Sequence, residues 1–197
     1  MGLRACLWSG AVSGILLGGC AGDPITAPTL NTARAGNWEI ERQIDRITGI
    51  PISSSSLAAK SSHQREPFPK NALLQLACFK DAQIVRFAFE VTIGATRNVD
   101  FGYRFDEKPG RQAVKIRITQ DYRTAVIEDP DEVRDFIAGL QTSQTLYVLI
   151  RSLNAGRTAV EFKLDGAPAA VAAAYAGCPI KPPEAAKAKS RPKPKRQ

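Results

Sequence analysis

The alternation of apolar and polar side chains across the middle of the chain is the feature that most constrains its fold. Apolar residues take every second position in three successive runs, at 85–93, 99–105 and 114–118. A period of two places these side chains on one face of an extended strand and the intervening polar side chains on the other face. Because one face is polar, the pattern predicts half-buried antiparallel strands.

Shorter patterns predict the other strands and define the fold class. The same alternation indicates strands at 38–45, 74–78, 145–152 and 158–165. The polar stretch 53–70, with its four consecutive serines, is predicted to be a surface loop. We therefore expect a mainly β chain with a single antiparallel domain, either sandwich-like or barrel-like, and one or two short helices.

Two segments carry helix signals. Asp129 and Pro130 suit the N-cap and first position of a helix whose apolar face ends at Leu140, and Glu132 would complete a capping box. The alanine-rich segment 167–176 ends at a glycine, which suits a helix stop. Each helix is short enough to pack on the sheet as an accessory element.

Residues 1–19 have the parts of a secretory leader. Arg4 supplies the positive region, residues 5–17 are apolar, and small residues precede the cleavage point. The apolar stretch is shorter than the roughly 20 residues of a membrane-spanning helix. Residues Leu17-Gly18-Gly19-Cys20 resemble the lipobox of bacterial lipoproteins, which implies removal of the leader and acylation of Cys20. An ordinary secretory leader and an uncleaved anchor are the alternatives.

The lipobox resemblance also predicts location. Two or more acyl chains give stable anchoring, so lipid on Cys20 would hold the chain at a membrane. Ala21 follows the cysteine, and in such lipoproteins this residue type implies the outer rather than the inner membrane. We expect residues 20–36 to comprise the lipidated cysteine and a spacer. The protein would then belong to the bacterial cell envelope, anchored to the outer membrane and facing the periplasm.

Cysteine usage predicts one disulfide. Of the four cysteines, Cys6 would leave with the leader and Cys20 would carry lipid, which leaves Cys78 and Cys178. An even pair in an exported domain suggests a disulfide, and closing so long a loop would stabilise the domain by roughly 4 to 5 kcal/mol. Two buried free thiols, or one reactive thiol, are the alternatives.

The positive charge is concentrated in the C-terminal tail. Residues 181–197 hold seven Lys or Arg and one Glu, which accounts for +6 of the net charge of +8. They contain no large apolar side chain, so we predict a disordered tail after a β-rich globular domain at 37–180. Such a tail would attract an anionic envelope component or an acidic protein; a solvated tail without a partner is the alternative. Nucleic acid is not expected, because no aromatic residues interleave with the cations.

The residue pattern does not predict catalysis. His63 is the single histidine and sits in the polar stretch without neighbours that would position it, and no GxSxG, phosphate loop or HExxH occurs. No metal, cofactor or catalytic residue is therefore expected. Trp38 is expected in the core rather than on a sugar-stacking platform.

Four charged residues form the best candidate for a partner contact. Arg104 and Asp106 lie two apart and are expected on one face of a strand. They can pair with each other, or with Asp45 or Arg151, as structural ion pairs. Alternatively, these residues contact a ligand or partner.

Several short pieces, together with the order of elements, resemble one known family. These pieces are Asp45-Arg46-Ile47-Thr48-Gly49, Leu76-Ala77-Cys78, Tyr103-Arg104-Phe105-Asp106, Val148-Leu149-Ile150-Arg151 and Phe162-Lys163-Leu164-Asp165-Gly166, with a closing Cys178. Over most of 37–178 they look like the VasI/TagO-like periplasmic proteins associated with type VI secretion. The resemblance implies a compact β-rich exported domain with one disulfide that acts as an accessory or interaction factor.

These inferences predict a membrane-anchored envelope lipoprotein that acts as a non-catalytic binding or structural module. An accessory protein of a type VI secretion system is the second hypothesis. A cryptic envelope hydrolase or inhibitor is the third.

Overall fold

The computed structural model describes residues 31–153 and 155–178. The predicted leader, the predicted lipidation site Cys20 and the basic tail lie outside these residues. Among the residues described, no helix is long and apolar enough to cross a membrane.

The described chain is mainly β, as predicted. Eight antiparallel strands form a curled half-barrel sheet in the order β6-β9-β10-β3-β4-β5-β8-β7, two short helices accompany it, and the hairpin β1–β2 extends the sheet beside β3. The strands are β1 (Asn31–Ala35), β2 (Trp38–Ile44), β3 (Pro51–His63), β4 (Glu66–Phe79), β5 (Ala82–Phe89), β6 (Val99–Phe105), β7 (Arg117–Ile118), β8 (Thr124–Ile127), β9 (Thr145–Ser152) and β10 (Gly156–Lys163). The helices are α1 (Pro130–Thr142) and α2 (Ala167–Ala174), and a 3-10 turn covers Thr96–Asn98.

The predicted loop at 53–70 is wrong, because β3 and β4 run through most of it. Ser55 and Ser61 are buried, and their hydroxyls donate to the carbonyls of Ala170 and Lys70 at 2.8 and 3.1 Å. Small hydroxyl side chains can therefore face the interior where a backbone carbonyl accepts their hydrogen bond. Only residues 64 and 65 connect the two strands.

The long strand β3 pairs with three other strands along its two edges. On one edge it pairs with β4, whereas on the other its first half pairs with β2 and its last residues pair with β10. The strand β1, which pairs with β2, begins at Asn31 and so occupies positions that the sequence assigns to the spacer. The ordered domain therefore starts earlier than residue 37.

The core fills the concave side of the sheet, where α1 supplies the central ring. Phe136 lies 5.1 to 5.8 Å, between ring centroids, from Tyr103, Phe105 and Phe87. Aromatic pairs at these separations and tilts stabilise a core beyond the area that they bury. Trp38 is 0% exposed, which confirms its prediction as a core residue.

Both helices begin as predicted, with one difference in side-chain use. The Asp129 carboxylate accepts from the amides of Asp131 and Glu132, which confirms the N-cap of α1. Glu132 does not complete a capping box, because its carboxylate accepts instead from the Tyr103 hydroxyl and the Arg111 guanidinium, at 2.9 and 3.0 Å. The helix α1 is thus joined to β6 and to the segment after it.

A disulfide between Cys78 and Cys178 is present, as predicted, with 5.9 Å between the Cα atoms. It joins β4 to the residues that follow α2. The buried Tyr175 reinforces the same junction, because its hydroxyl donates to the carbonyl of Ile84 in β5 at 2.9 Å. The C-terminal end of the domain is therefore attached to the sheet by a covalent bond and by a partly buried hydrogen bond.

The strand registers define two opposite ends of the sheet. The β2–β3 turn and the β4–β5 turn lie at one end. Ile44 pairs with Pro51 across the first turn, and Phe79 pairs with Ala82 across the second. Because β3 and β4 are antiparallel and Ser54 pairs with Ala77, the start of β3 lies beside the end of β4. The β3–β4 turn lies at the other end. There Thr158 pairs with His63, which brings the β9–β10 turn to the same end.

Candidate binding cleft

The structure does not bring the four predicted site residues together, and it uses both carboxylates within turns. Asp45 accepts from the amides of Ile47 and Thr48 at 2.7 and 2.9 Å. Asp106 lies beyond the end of β6, in left-handed conformation, and accepts from the Thr145 amide at 2.8 Å. The prediction that Asp106 shares a strand face with Arg104 is therefore wrong.

Hydrogen bonding keeps both of these carboxylates ionised. The amides of Thr48 and Ile47 lower the pKa of Asp45, and the Thr145 amide lowers the pKa of Asp106. Hydrogen bonds from backbone amides favour the ionised form of a carboxylate, and here they stabilise the turn that supplies the amides. Asp45 and Asp106 thus act as structural residues.

The two arginines do share a surface. Arg104 and Arg151 project from the outward face of the β6–β9 pair, where Arg104 is paired in register with Tyr147. The Arg104 guanidinium lies 6.0 Å from the Tyr147 ring centre, while Arg151 lies 3.4 Å from Asp100 and Arg157 donates to the Tyr147 hydroxyl at 3.4 Å. We call this surface, made of Arg104, Tyr147, Arg151 and Arg157, the arginine face.

A groove of about 120 Å³ crosses the arginine face. Tyr147 and Arg157 were not predicted as site residues, although the outward-facing alternation of β9 and β10 contains both. The ion pairs of Arg104 with Glu107 and of Arg151 with Asp100 are exposed, so they contribute little to stability. The volume of the groove is below the range of about 300 to 1,000 Å³ that is common for small-molecule sites.

His63 is a buried structural residue, which corrects its predicted position in a polar loop. Its side chain is 7% exposed and lies within hydrogen-bond reach of Ser61 and Thr158, at 2.8 and 2.9 Å. When the Ser61 hydroxyl donates to the Lys70 carbonyl, Nε2–H of His63 donates to Ser61 and the Thr158 hydroxyl donates to Nδ1. This series of hydrogen bonds links β3 to β10. Ser61 is 0% exposed, so its hydroxyl faces no substrate space.

A second concavity lies beside His63, at the end of the sheet that holds the β3–β4 turn. It has a volume of about 770 Å³. The turns after β3, β5 and β9 and the start of β8 surround it. We call it the cationic cleft; it is lined by His63, Arg65, Lys70, Glu90, Val91, Thr92, Arg123, Leu153 and Ala155.

The cleft has an excess of positive charge. Arg65, Lys70 and Arg123 line it, against the single carboxylate of Glu90. Glu90 accepts from both the backbone and the side-chain amide of Asn71, and these bonds lower the pKa of its carboxyl. Glu90 is therefore ionised, and three cationic side chains line the cleft beside this one carboxylate.

Size and charge together indicate an anionic ligand. The volume lies in the range of about 300 to 1,000 Å³ that is common for small-molecule sites. Guanidinium groups bind carboxylate and phosphate in paired hydrogen bonds, and an ammonium group adds a point charge. Leu153 is 72% exposed at the rim and offers apolar contact beside these cations.

Comparisons with protein-family models, with curated proteins and with solved structures find no match for this chain. The residues in the described ranges contain no cluster of three or more His, Cys, Asp or Glu side chains that could hold a metal ion. Arg65, Lys70 and Arg123 were not predicted as site residues, because only the fold brings residue 123 beside residues 65 and 70. The volume and the charged lining of the cleft are therefore the basis on which it is the candidate site.

Proposed function

We propose that this protein is a lipid-anchored, non-catalytic binding module of the bacterial cell envelope, and that the cationic cleft receives an anionic group of an envelope glycan. The observation that carries the proposal is the cleft of about 770 Å³, which is lined by three cationic side chains and one carboxylate. The lipobox-like residues 17–20 support the anchoring. The arginine face offers a second surface for the same partner.

The test is binding to isolated envelope polymers. Purified lipopolysaccharide and peptidoglycan sacculi serve as probes, and the variant is the double charge reversal Arg65→Glu, Arg123→Glu. We expect binding to one probe to weaken by tenfold or more, because each reversal replaces attraction to the anion by repulsion. Binding that survives the double reversal would overturn the proposal.

A matched control separates the cleft from general electrostatics. Lys108→Glu with Lys115→Glu makes the same change in net charge at two exposed residues outside the cleft. This control variant should weaken binding by less than about twofold at physiological salt, where charges farther apart than about 8 Å are screened. Equal losses in the two double variants would point to net charge alone.

The basic tail is proposed to add an electrostatic attachment to an anionic envelope component or an acidic protein. Removal of residues 181–197 should weaken envelope association at low salt and have little effect at high salt. No change at low salt would make the tail a solvated appendage.

A role as an accessory protein of type VI secretion is the second candidate. The β-rich domain and its one disulfide are the features that the resemblance implies. Deletion of the gene followed by a secretion assay tests this role. An envelope hydrolase or inhibitor is the third candidate, and a substrate screen tests it.

A further inference from the structure

Four large apolar side chains are exposed together at the end of the sheet opposite the cationic cleft. Ile44, Ile47 and Ile50 in the β2–β3 turn are 63%, 95% and 60% exposed, and Phe79 at the β4–β5 turn is 57% exposed. We call these four residues the isoleucine tip. Exposed apolar groups that cluster at one end of a domain mark an interaction site.

The β2–β3 turn holds its isoleucines outward in a fixed conformation. The Asp45 amide donates to the Ile50 carbonyl at 2.9 Å, and the Gly49 amide donates to the Asp45 carbonyl at 2.8 Å. The Asp45 carboxylate accepts two further amides within the same turn. Since the loop is tied internally, the exposed Ile47 does not fold back on the sheet. The tip is therefore preformed for contact.

Both chain connections leave the domain at the isoleucine tip. Asn31, the first described residue, pairs with Arg42 two residues before Ile44. Cys178, the last described residue, is bonded to Cys78, which is adjacent to Phe79. Cys20 stands eleven residues before Asn31, and a chain of that length reaches at most about 40 Å. A lipid on Cys20 would therefore keep this end of the domain close to the bilayer.

The charged residues beside the apolar tip carry a small positive excess. Arg42, Arg46 and Lys80 are exposed there, against Asp81 and Asp45, whose carboxylate accepts hydrogen bonds from two backbone amides. The tail that begins three residues after Cys178 adds a net charge of +6. Apolar side chains that project from a basic surface are the composition that binds the interface of an anionic bilayer.

We propose that the isoleucine tip inserts into the surface of an anionic phospholipid bilayer. The inference rests on the membrane anchoring in the proposed function and adds an orientation. With the tip in the bilayer, the cationic cleft at the opposite end of the sheet faces away from the membrane. Lipid, tip and tail then act on one face of the domain, and the ligand site occupies the other.

A site-specific reporter tests insertion. The chain from Ala21 to Gln197, exported without Cys20 so that no lipid is attached, carries Ile47→Trp. Emission spectra are recorded with vesicles of phosphatidylethanolamine and phosphatidylglycerol, after subtraction of the spectrum of the parent chain. We expect a blue shift and quenching by brominated acyl chains, because the indole enters the apolar boundary. Phe68→Trp, which lies outside the lining of the cationic cleft and is 73% exposed, is the matched control and should show neither.

A loss-of-function variant gives the second measurement. Replacement of Ile44, Ile47 and Ile50 by serine should lower vesicle partitioning at high salt by tenfold or more, while the thermal midpoint stays within a few degrees because these side chains are exposed. An unshifted Ile47→Trp spectrum, or equal shifts at residues 47 and 68, would overturn the proposal. A spectral shift that appears without vesicles, when the protein concentration is raised, would show that the tip contacts a second copy of the chain and would also overturn the proposal.

This test and the test of the cleft are separable. The cleft assay uses glycan probes without phospholipid vesicles, and the serine variant should bind those probes as the parent does. Failure of insertion with retained glycan binding therefore overturns only the orientation, whereas the converse result overturns only the cleft.

Discussion

Asp121 shows how one carboxylate can hold a turn of this sheet. It lies between β7 and β8 and accepts from the Arg123 amide at 2.9 Å and from the Thr124 hydroxyl at 2.8 Å. Partial desolvation raises its pKa, but the hydrogen bond from Thr119 and those from residues 123 and 124 outweigh that effect and lower the pKa to about 2. The bonds are therefore strongest when Asp121 is ionised.

This lowered pKa predicts part of the acid sensitivity of the domain. A carboxyl whose folded pKa lies below its unfolded value of 3.8 contributes stability above about pH 4, and that contribution is lost as the pH falls toward 2. We expect the thermal midpoint to fall over this range, and to fall less steeply in Asp121→Asn. Calorimetry at a series of pH values checks the slopes, and identical slopes would contradict the prediction.

At the level of elements, α1 packs closely on β6 because Gly139 has no side chain at the point of contact. A Cβ atom added at Gly139 would lie 2.4 Å from the Cε2 atom of Phe105, which is closer than side-chain carbons approach. The Phe105 ring also packs against Phe136, so it has little room to move. Gly139 is thus required by the contact between helix and sheet.

This contact predicts that Gly139→Ala is destabilising. Alanine gains roughly 1 kcal/mol in helix propensity, but an overpacked contact costs about 1 to 3 kcal/mol. We expect a net loss of about 1 kcal/mol in the free energy of unfolding, measured by urea denaturation. Adding Phe105→Leu should remove most of the penalty, in a double-mutant cycle. If Gly139→Ala stabilises the domain, the close approach does not limit packing.

Alternation predicts strands well where large apolar residues mark the buried face. The strands β5, β6, β9 and β10 follow from such patterns, and the capping residue Asp129 marks the start of α1. The pattern fails in β3, because Ser55 and Ser61 occupy buried positions and are satisfied by carbonyls from distant segments. Nothing local to a serine run distinguishes that arrangement from a solvated loop.

The candidate site was less predictable than the fold. Charged residues near each other in sequence, such as Arg104 and Asp106, separate because the strand ends between them and Asp106 turns to bond residues 144 and 145. Arg65 and Arg123 meet at the cleft because β3, β4, β5 and β8 are neighbours in the sheet. Strand order, which periodicity does not reveal, creates that cleft.

For the whole molecule, the disulfide is the longest covalent constraint. It joins Cys78 to Cys178 across a sequence separation of 100 residues, and so it ties the sheet to the end of the domain after α2. Closure of such a loop restricts the unfolded chain far more than the folded one. The noncovalent contacts at the same junction, including the Tyr175 hydroxyl, add to this constraint.

Loss of the disulfide should lower the free energy of unfolding by roughly 4 to 5 kcal/mol. The variant is Cys78→Ala with Cys178→Ala, and urea denaturation of the parent, with and without reductant, supplies the comparison. The reduced parent and the double variant should unfold at similar urea concentrations, since both lack the same bond. A double variant as stable as the oxidised parent would contradict the loop-entropy account.

The same bond also determines which part of the protein would carry tension. If the N-terminal lipid is held in a membrane and the basic tail is pulled by a partner, the covalent path runs from Asn31 to Cys78 and crosses directly to Cys178. Residues 79–177 lie on a closed loop outside this path. The strands β5 to β10 and both helices could thus remain folded under a force that first strains β1 to β4.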